Sequence, residues 1–389
     1  MVSSKPIAGA AVNSTLQLQF NTPVAAILRL TITFLLLCGA AIAAERPFEV
    51  EPIVAFDEPW AMAFLPDGRL LVTEKRGKLF VVTQDGKKSP PIANVPEIAY
   101  GGQGGLGDVA LHPDWESNRT IYLSYAEPGD DGKRGAAVVR ATLDLDRGAL
   151  SDIEVIWRQV PKVRGQNHYG HRLLFDSDGL LFISSGERAK FDPSQDMSSN
   201  LGKIVRLRDD GSIPGGNPFA VVGGVTAQIW TLGHRNPLGI AFDTNGQLWN
   251  VEMGPRGGDE LNRVVRGSNY GYPVVSNGDH YSGKNIPDHD THPEFAAPAA
   301  WWTPVISPGG LIIYDGELFP DWQGDALIAG LSSRALVRVE LDGERAREIE
   351  RFDMGRRMRA VVQGPAGAVW MLEDRRGGRL LKLVPRHKY

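Results

Sequence analysis

The residues able to do chemistry fall in a few short segments. Of the eight histidines, His168 and His171 stand in QNHYGHRLLF and His234 in LGHRNPLG. An imidazole titrates near neutrality and can act as a general base, a metal ligand or a structural hydrogen-bonding group. Both segments set histidine beside arginine or an amide, which favours a shared polar site over isolated structural histidines. His280, His289 and His292 share the loop GDHYSGKNIPDHDTHPEF with Asp279, Asp288 and Asp290. A transition-metal site is one reading, but no H-E-x-x-H or other fixed spacing is present, and a solvated polar loop fits better. His112 lies in a repeat turn, LHPD, and reads as structural, and His387 lies in the C-terminal tail.

Three further segments carry polar chemistry. In MGPRGGDEL (253–261) and just before it, Glu252, Asp259 and Glu260 surround a Gly-Pro turn. Oxygen-rich turns of this kind suit Ca2+, although the spacing is not that of an EF-hand. GGQGGLG (101–107) lacks the Lys-Ser/Thr of a phosphate loop and the strand–helix context of a dinucleotide loop. The expectation is close backbone approach to a flat ligand, with Gln103 as the polar finger. GRRMRAVV (355–362) sets Arg357 and Arg359 two apart at the start of a strand, hence on one face. Two convergent guanidinium groups suit a polycarboxylate; a solvated charged edge is the alternative.

The elements that must position these residues recur. An apolar strand, a turn rich in Pro, Asp and Gly, and a second apolar strand appear as WAMAFLPDGRLLVTEK (60–75), LGDVALHPDWESNRTIYLSYA (106–126) and HRLLFDSDGLLFISSG (171–186). They return as LGIAFDTNGQLWNVEMG (238–254), GGLIIYDGELFPDWQGDALIAG (309–330) and MRAVVQGPAGAVWMLED (358–374). Phe64, Leu111, Phe175, Phe242, Ile313 and Val362 are taken as equivalent. Period-2 alternation about D-G or N-G turns reads as hairpins, and further strands follow at 77–83, 136–144, 202–207, 335–341 and 378–384. Six copies of a multi-stranded unit predict an all-β, six-bladed β-propeller; a pair of β-sandwiches or an irregular barrel is the alternative. The extra residues between the third, fourth and fifth copies should form loops on one face.

Composition agrees. The chain has 389 residues, 45 of them glycine, well above the usual ~7%, as many tight turns require. One cysteine excludes a disulfide framework and a Cys-based zinc site. A formal net charge of −4 gives no support for nucleic-acid binding. Lys5 and Arg29 precede an apolar run from Leu30 to Ala43 that ends in Ala41-Ile42-Ala43, the pattern of a cleavable secretory signal peptide. The run is shorter than the ~20 residues that span a bilayer, so residues 1–43 are expected to be removed. The sole cysteine, Cys38, leaves with them, and residues 44–389 form a periplasmic or secreted domain without stable membrane insertion.

In this order, LGHRNPLGIAF, GPRGGDELN with RGSNYGYP, and GGQGGLGDVALHPDW resemble the soluble quinoprotein sugar dehydrogenases of the glucose/sorbosone dehydrogenase family, and in particular its aldose sugar dehydrogenase branch. The resemblance spans about residues 48–385. It implies a six-bladed propeller that binds pyrroloquinoline quinone (PQQ) and Ca2+ and oxidises the C1 hydroxyl of aldoses to lactones. By the same resemblance His168 is the catalytic base, and Glu187 stands where the family usually has an Asp that orients it. Gln103 and Arg235 match polar groups near the reacting carbonyl, and Asn236 a cofactor contact. Gly254 and Pro255 match residues whose carbonyls hold Ca2+, with Asp259 beside them. Arg357 and Arg359 match an arginine pair that grips the cofactor, and Trp302 an aromatic bordering the site. One departure stands out: Ser332, in IAGLSSRAL, takes the place of a family lysine, with Arg334 two residues on as a replacement cation.

The leading expectation is therefore an exported PQQ- and Ca2+-dependent aldose dehydrogenase, monomeric or homodimeric, that passes electrons to an external acceptor. A metal-dependent lactonase or other hydrolase is the second reading. A binding propeller that has lost PQQ, motivated by Ser332, is the third.

Overall fold

One turn, used four times, generates much of the architecture. Leu65 N–H donates to the Arg69 carbonyl (2.7 Å), Asp176 to Leu180 (3.0 Å), Asp243 to Gln247 (2.9 Å) and Gly364 to Ala368 (2.8 Å). The glycines that close these turns, Gly68, Gly179, Gly246 and Gly367, all have φ between +74° and +84°, where a side chain would be strained. Each turn returns an apolar strand antiparallel to its predecessor: Pro59–Phe64 with Leu70–Glu74, Gly170–Phe175 with Leu181–Ser185, Pro237–Phe242 with Leu248–Glu252 and Met358–Gln363 with Val369–Glu373. Leu106–Leu111 and Pro308–Ile313 pair likewise with Thr120–Pro128 and Ala326–Gly330.

The computed structural model describes residues 46–386. Within them six antiparallel sheets form a six-bladed β-propeller. The first strand of each pair is innermost, and each inner strand touches the inner strands before and after it around a closed ring. Five sheets have four strands and the first has three. In the first, Ser89 and Ile92 N–H donate back to Val81 and Leu79, in place of a fourth strand. Phe48–Asp57 forms the outer strand of the sixth sheet, with Phe48 opposite Pro385, so backbone hydrogen bonds join the two ends of the described chain and close the ring. The second strands of five blades are buried along their whole length, and the core fills the spaces between neighbouring blades. Between the last two, Phe48, Trp322 and Phe352 pack ring on ring. The only α-helix among the described residues is the single turn Trp115–Asn118, and no helix there is long and apolar enough to cross a membrane. The proposed signal peptide, with Cys38, and His387 lie outside the described residues.

Two expectations need correction. The sixth-blade equivalent of Phe64 is Gln363, not Val362: Gln363 faces Val369 as Phe64 faces Leu70. Nor do all the inserted residues share one face. The 186–202 loop lies where the inner strands begin, but 208–228 leaves from Leu207, which stands opposite Leu181 at the far end. Alternating strand direction sends successive loops to opposite ends. All six inner strands carry a register shift near their start. Such bulges bend a strand and re-aim its side chains, and these lie at the end that carries the polar residues.

Candidate active site

His168 ends the loop that leads into the third inner strand, with φ +50°. Its backbone N–H donates to Gln103 Oε1 (2.8 Å), and its Nδ1 meets Glu187 Oε1. Glu187 Oε2 accepts the backbone N–H groups of Lys190 and Phe191, so the carboxylate is anchored by its own loop. In that loop Arg188, Ala189 and Phe191 all have positive φ. Arg188, buried, ties the loops together: Nε donates to Asn167 O (2.8 Å), Nη1 to Arg134 O (2.7 Å) and Nη2 to Gly165 O (2.7 Å). Its guanidinium lies 3.7 Å over the Tyr169 ring. Lys203, also buried, donates to Pro193 O (2.7 Å), Ser194 O (3.0 Å) and Leu201 O (2.8 Å) and folds the same loop onto its blade.

The pair has a defined charge state. Burial holds the His168 pKa below its usual 6.5, although the hydrogen bond to Glu187 pulls it up. Burial would raise Glu187, but the hydrogen bond from His168, the charges nearby and the backbone N–H of Phe191 outweigh it and leave its pKa below 4.5. At neutral pH Glu187 is thus an anion and His168 a neutral imidazole. Nδ1–H points at the carboxylate, and Nε2 is the basic nitrogen.

Across the third–fourth blade junction, Arg235 Nη1 donates to the carbonyls of Met253 (2.9 Å) and Gly254 (2.6 Å). Its guanidinium carbon lies 5.9 Å from the Tyr272 ring and 5.8 Å from the Tyr281 ring. Glu252 accepts from Arg235 N–H (2.6 Å) and pairs with His234 Nδ1 (2.8 Å), so both positions are braced from beneath. Glu74 and Glu373 end their second strands in the same way and accept the backbone N–H of Asp57 (2.7 Å) and Arg379 (3.1 Å). The recurrent glutamate was visible in the repeats and marks a fastening of the backbone, not a metal ligand.

A cavity of about 380 Å³ opens here, lined among others by Trp60, Lys75, Gln103, Gly170, Arg357 and Arg359. Asp374 binds both arginines, Arg357 Nε at 2.9 Å and Arg359 Nε at 3.0 Å. The Arg359 and Arg357 charges and their hydrogen bonds overcome the effect of burial and hold its pKa down to about 2. The clamp therefore keeps a net positive charge and a fixed geometry. His168 itself is not in this cavity's lining, which includes its chain neighbours Tyr169 and Gly170 and its hydrogen-bond partner Gln103. Met253, which accepts from Arg235, lines it as well.

Other expected residues are placed differently. Trp302 is buried between blades and its Nε1 donates to Glu348 (2.6 Å); the outer strand alternates, so Trp301, 57% exposed, is the one that faces out. Both Asp259 oxygens accept backbone N–H groups, Gly254 at 2.9 Å and Ser307 at 2.6 Å, and burial pushes its pKa up to about 7. It braces the Gly254 turn instead of presenting oxygens to an ion. Asn236 is wholly buried and accepts the Gly170 N–H (3.2 Å). Ser332 and Arg334 are exposed and lie outside this lining; Ser332 Oγ donates to Val305 O (3.2 Å). In the 101–107 segment Gly102 and Gln103 line the cavity, whereas Gly104 and Gly107 make room for protein. A Cβ on Gly104 would strike the Tyr169 ring (2.8 Å), and one on Gly107 would strike the His171 ring. His280, His289 and His292 diverge toward Phe191, Glu260 and Glu294, and no group of three or more His, Cys, Asp or Glu among the described residues could hold a metal. Arg188, Lys203 and Asp374 were missed from sequence because their partners are remote main-chain carbonyls or belong to another segment.

The assembled site offers a neutral imidazole oriented by a carboxylate, tied through Gln103 to a cavity with a fixed cationic wall. A family model described as Glucose / Sorbosone dehydrogenase matches residues 56–382. The chain is 40% identical over 365 residues to the aldose sugar dehydrogenase YliI of Escherichia coli, covering 92% of this chain and 98% of that one. Among solved structures, the soluble aldose sugar dehydrogenase of Escherichia coli in its apo-form is similar with a TM-score of 0.82 and 40% identity, covering 87% of this chain and 100% of that one. The PQQ-bound aldose sugar dehydrogenase of Streptomyces coelicolor is similar with a TM-score of 0.72 and 28% identity, covering 87% and 98%.

Proposed function

Because the chain belongs to the glucose/sorbosone dehydrogenase family, we propose that this sugar dehydrogenase oxidises the C1 hydroxyl of aldoses to lactones with PQQ and Ca2+, and passes the electrons to an external acceptor. The observation that carries this reading is the His168–Glu187 pair, tied through Gln103 to a cavity walled by Arg357 and Arg359. A fixed arginine pair fits a polycarboxylate. When bound, PQQ supplies the two-electron acceptor that no side chain provides. The carbonyls of Gly254 and Pro255 are hard oxygen donors of the kind Ca2+ takes; an ion there competes with Arg235 for Gly254 O.

The chain's own part is acid–base and electrostatic. His168 Nε2 takes the proton of the C1 hydroxyl, which makes C1 a better hydride donor. Glu187 holds the tautomer and stabilises the imidazolium. Arg235, held by the Met253 and Gly254 carbonyls, supplies positive charge that favours an oxygen gaining negative charge. Gln103 holds the His168 backbone. The competing hydrolase reading needs a carboxylate-held metal, and nothing in the cavity favours it. Residues 1–43 are proposed as the cleaved export signal of a periplasmic or secreted propeller spanning 44–389.

The test is purified protein reconstituted with PQQ and Ca2+, assayed for sugar-dependent dye reduction. His168→Ala should lower the rate at least ~100-fold. No turnover of a broad aldose panel at saturating PQQ overturns the reading. Titration of the apo-protein with PQQ separates an enzyme from a propeller that has lost the cofactor.

A further inference from the structure

Arg172 reaches all six blades. It belongs to the third inner strand, and its Nε donates to Leu238 O of the fourth (2.8 Å). Nη2 donates to Gly309 O of the fifth and lies 3.5 Å from Arg359 O of the sixth. Nη1 pairs with Asp108 Oδ1 of the second (3.3 Å), and the guanidinium carbon lies 4.0 Å over the Trp60 ring of the first. Asp108 is held in turn: its Oδ2 accepts Leu173 N–H (3.0 Å) and its own N–H donates to Ser124 Oγ (2.7 Å).

The side chain stands between two cavities. The candidate active-site cavity includes Trp60, Leu238 and Arg359 in its lining. A second cavity, of about 430 Å³, is lined by Asp108, Arg172, Gly310 and Ala360 among others, the residues one step further along several of the same strands. A planar guanidinium with five donors reaches acceptors in several directions across its plane at once. Burying such a charge is costly, and ring closure is already secured by the Phe48–Asp57 strand. What Arg172 adds is the height of the Arg359 backbone beneath the Arg359–Asp374 clamp, and a floor under the cavity.

We propose that Arg172 is a positioning residue of the cofactor cavity: by holding the Gly309 and Arg359 carbonyls and Trp60, it sets the arginine wall and shuts the channel below it. This rests on the reading of that cavity as a PQQ site. The experiment is equilibrium titration of the apo-protein with PQQ, followed by absorbance or tryptophan fluorescence, in the wild type, Arg172→Met, Arg172→Lys and Gly309→Ala. Arg172→Met should weaken PQQ binding at least tenfold, while the KM for sugar at saturating PQQ stays within twofold. Arg172→Lys, which keeps charge but not the fork, should fall between them. Gly309→Ala leaves Arg172 intact, but its Cβ would stand 2.7 Å from Arg359 O; it should weaken PQQ binding about threefold or more without moving the sugar KM. A folded Arg172→Met that binds PQQ within twofold of wild type overturns the proposal. If that variant does not fold, unchanged affinity in Gly309→Ala does so instead. A wild type that binds no PQQ sinks the cofactor reading itself.

Discussion

Replacing Glu187 by Gln exchanges one carboxylate oxygen for an NH2 group and tests the whole base. Oε1 now takes His168 Nδ1, and Oε2 accepts two backbone N–H groups, Lys190 and Phe191. An amide has one accepting oxygen. If that oxygen stays with His168, the NH2 faces two buried N–H donors, which lose their acceptor at about 1–3 kcal/mol each. If the amide turns over, both donors are satisfied, but NH2 now faces Nδ1, which must accept. The proton moves to Nε2 and the base is lost. The turned-over arrangement leaves neither donor unmet, so the inactive form wins by about 2–6 kcal/mol, a factor of roughly 30 or more. Loss of the carboxylate charge beside the imidazolium adds to this, and the expected fall in kcat/KM is about 10²–10³-fold. The assay is dye reduction with saturating PQQ and Ca2+, alongside PQQ titration of the apo-protein, whose affinity should not change because the arginine wall is untouched. A Glu187→Gln enzyme within threefold of wild type, with PQQ bound normally, would refute the assignment of His168 and Glu187.

Burial holds the His168 pKa below 6.5, so kcat/KM should fall only on the acid side, with its midpoint below 6.5, and stay flat from there through neutrality. An acid limb centred above pH 7 contradicts the neutral-imidazole state. Asp374, at about 2 against 3.8, is a depressed carboxylate. Its contribution of about 2 kcal/mol is present above pH ~4 and lost as pH falls through about 2; Asp374→Asn should cost a similar amount in urea denaturation at pH 7, and no change would show that the clamp is not stabilising. Trp302→Phe removes a hydrogen bond to Glu348 far from the cavity lining. The apparent Tm should drop with the sugar KM unchanged, and a raised KM would restore the sequence-based place of Trp302 beside the substrate.

Where sequence reading failed, the information was non-local. Trp301 and Trp302 are adjacent and chemically alike; which one faces the core depends on pairing of Ala300–Trp302 with a strand some forty residues earlier. Asp259 beside Gly-Pro-Arg-Gly-Gly looks like an ion ligand until the Ser307 backbone arrives from another segment and occupies its second oxygen. Ser332 drew attention as a departure, but its position on an exposed turn could not be known from the string.

The sequence by itself determined the blades, and family resemblance singled out His168. A hairpin needs only alternating apolar residues and a turn that tolerates positive φ, and both are local, so six repeats specified six sheets. The segments around His168, Arg235 and Arg357 were likewise legible, because their chemistry lies in residue type and short spacing. Tertiary structure decided which polar groups remain free. Glu187, Asp259 and Asp374 are all carboxylates, yet one orients a base, one braces a turn and one fixes two arginines. That division is set by which main-chain and cationic groups the closed ring brings to each oxygen, and by how much water it removes. Arg172 is the extreme case: its six-blade reach exists only once the last strand has joined the first.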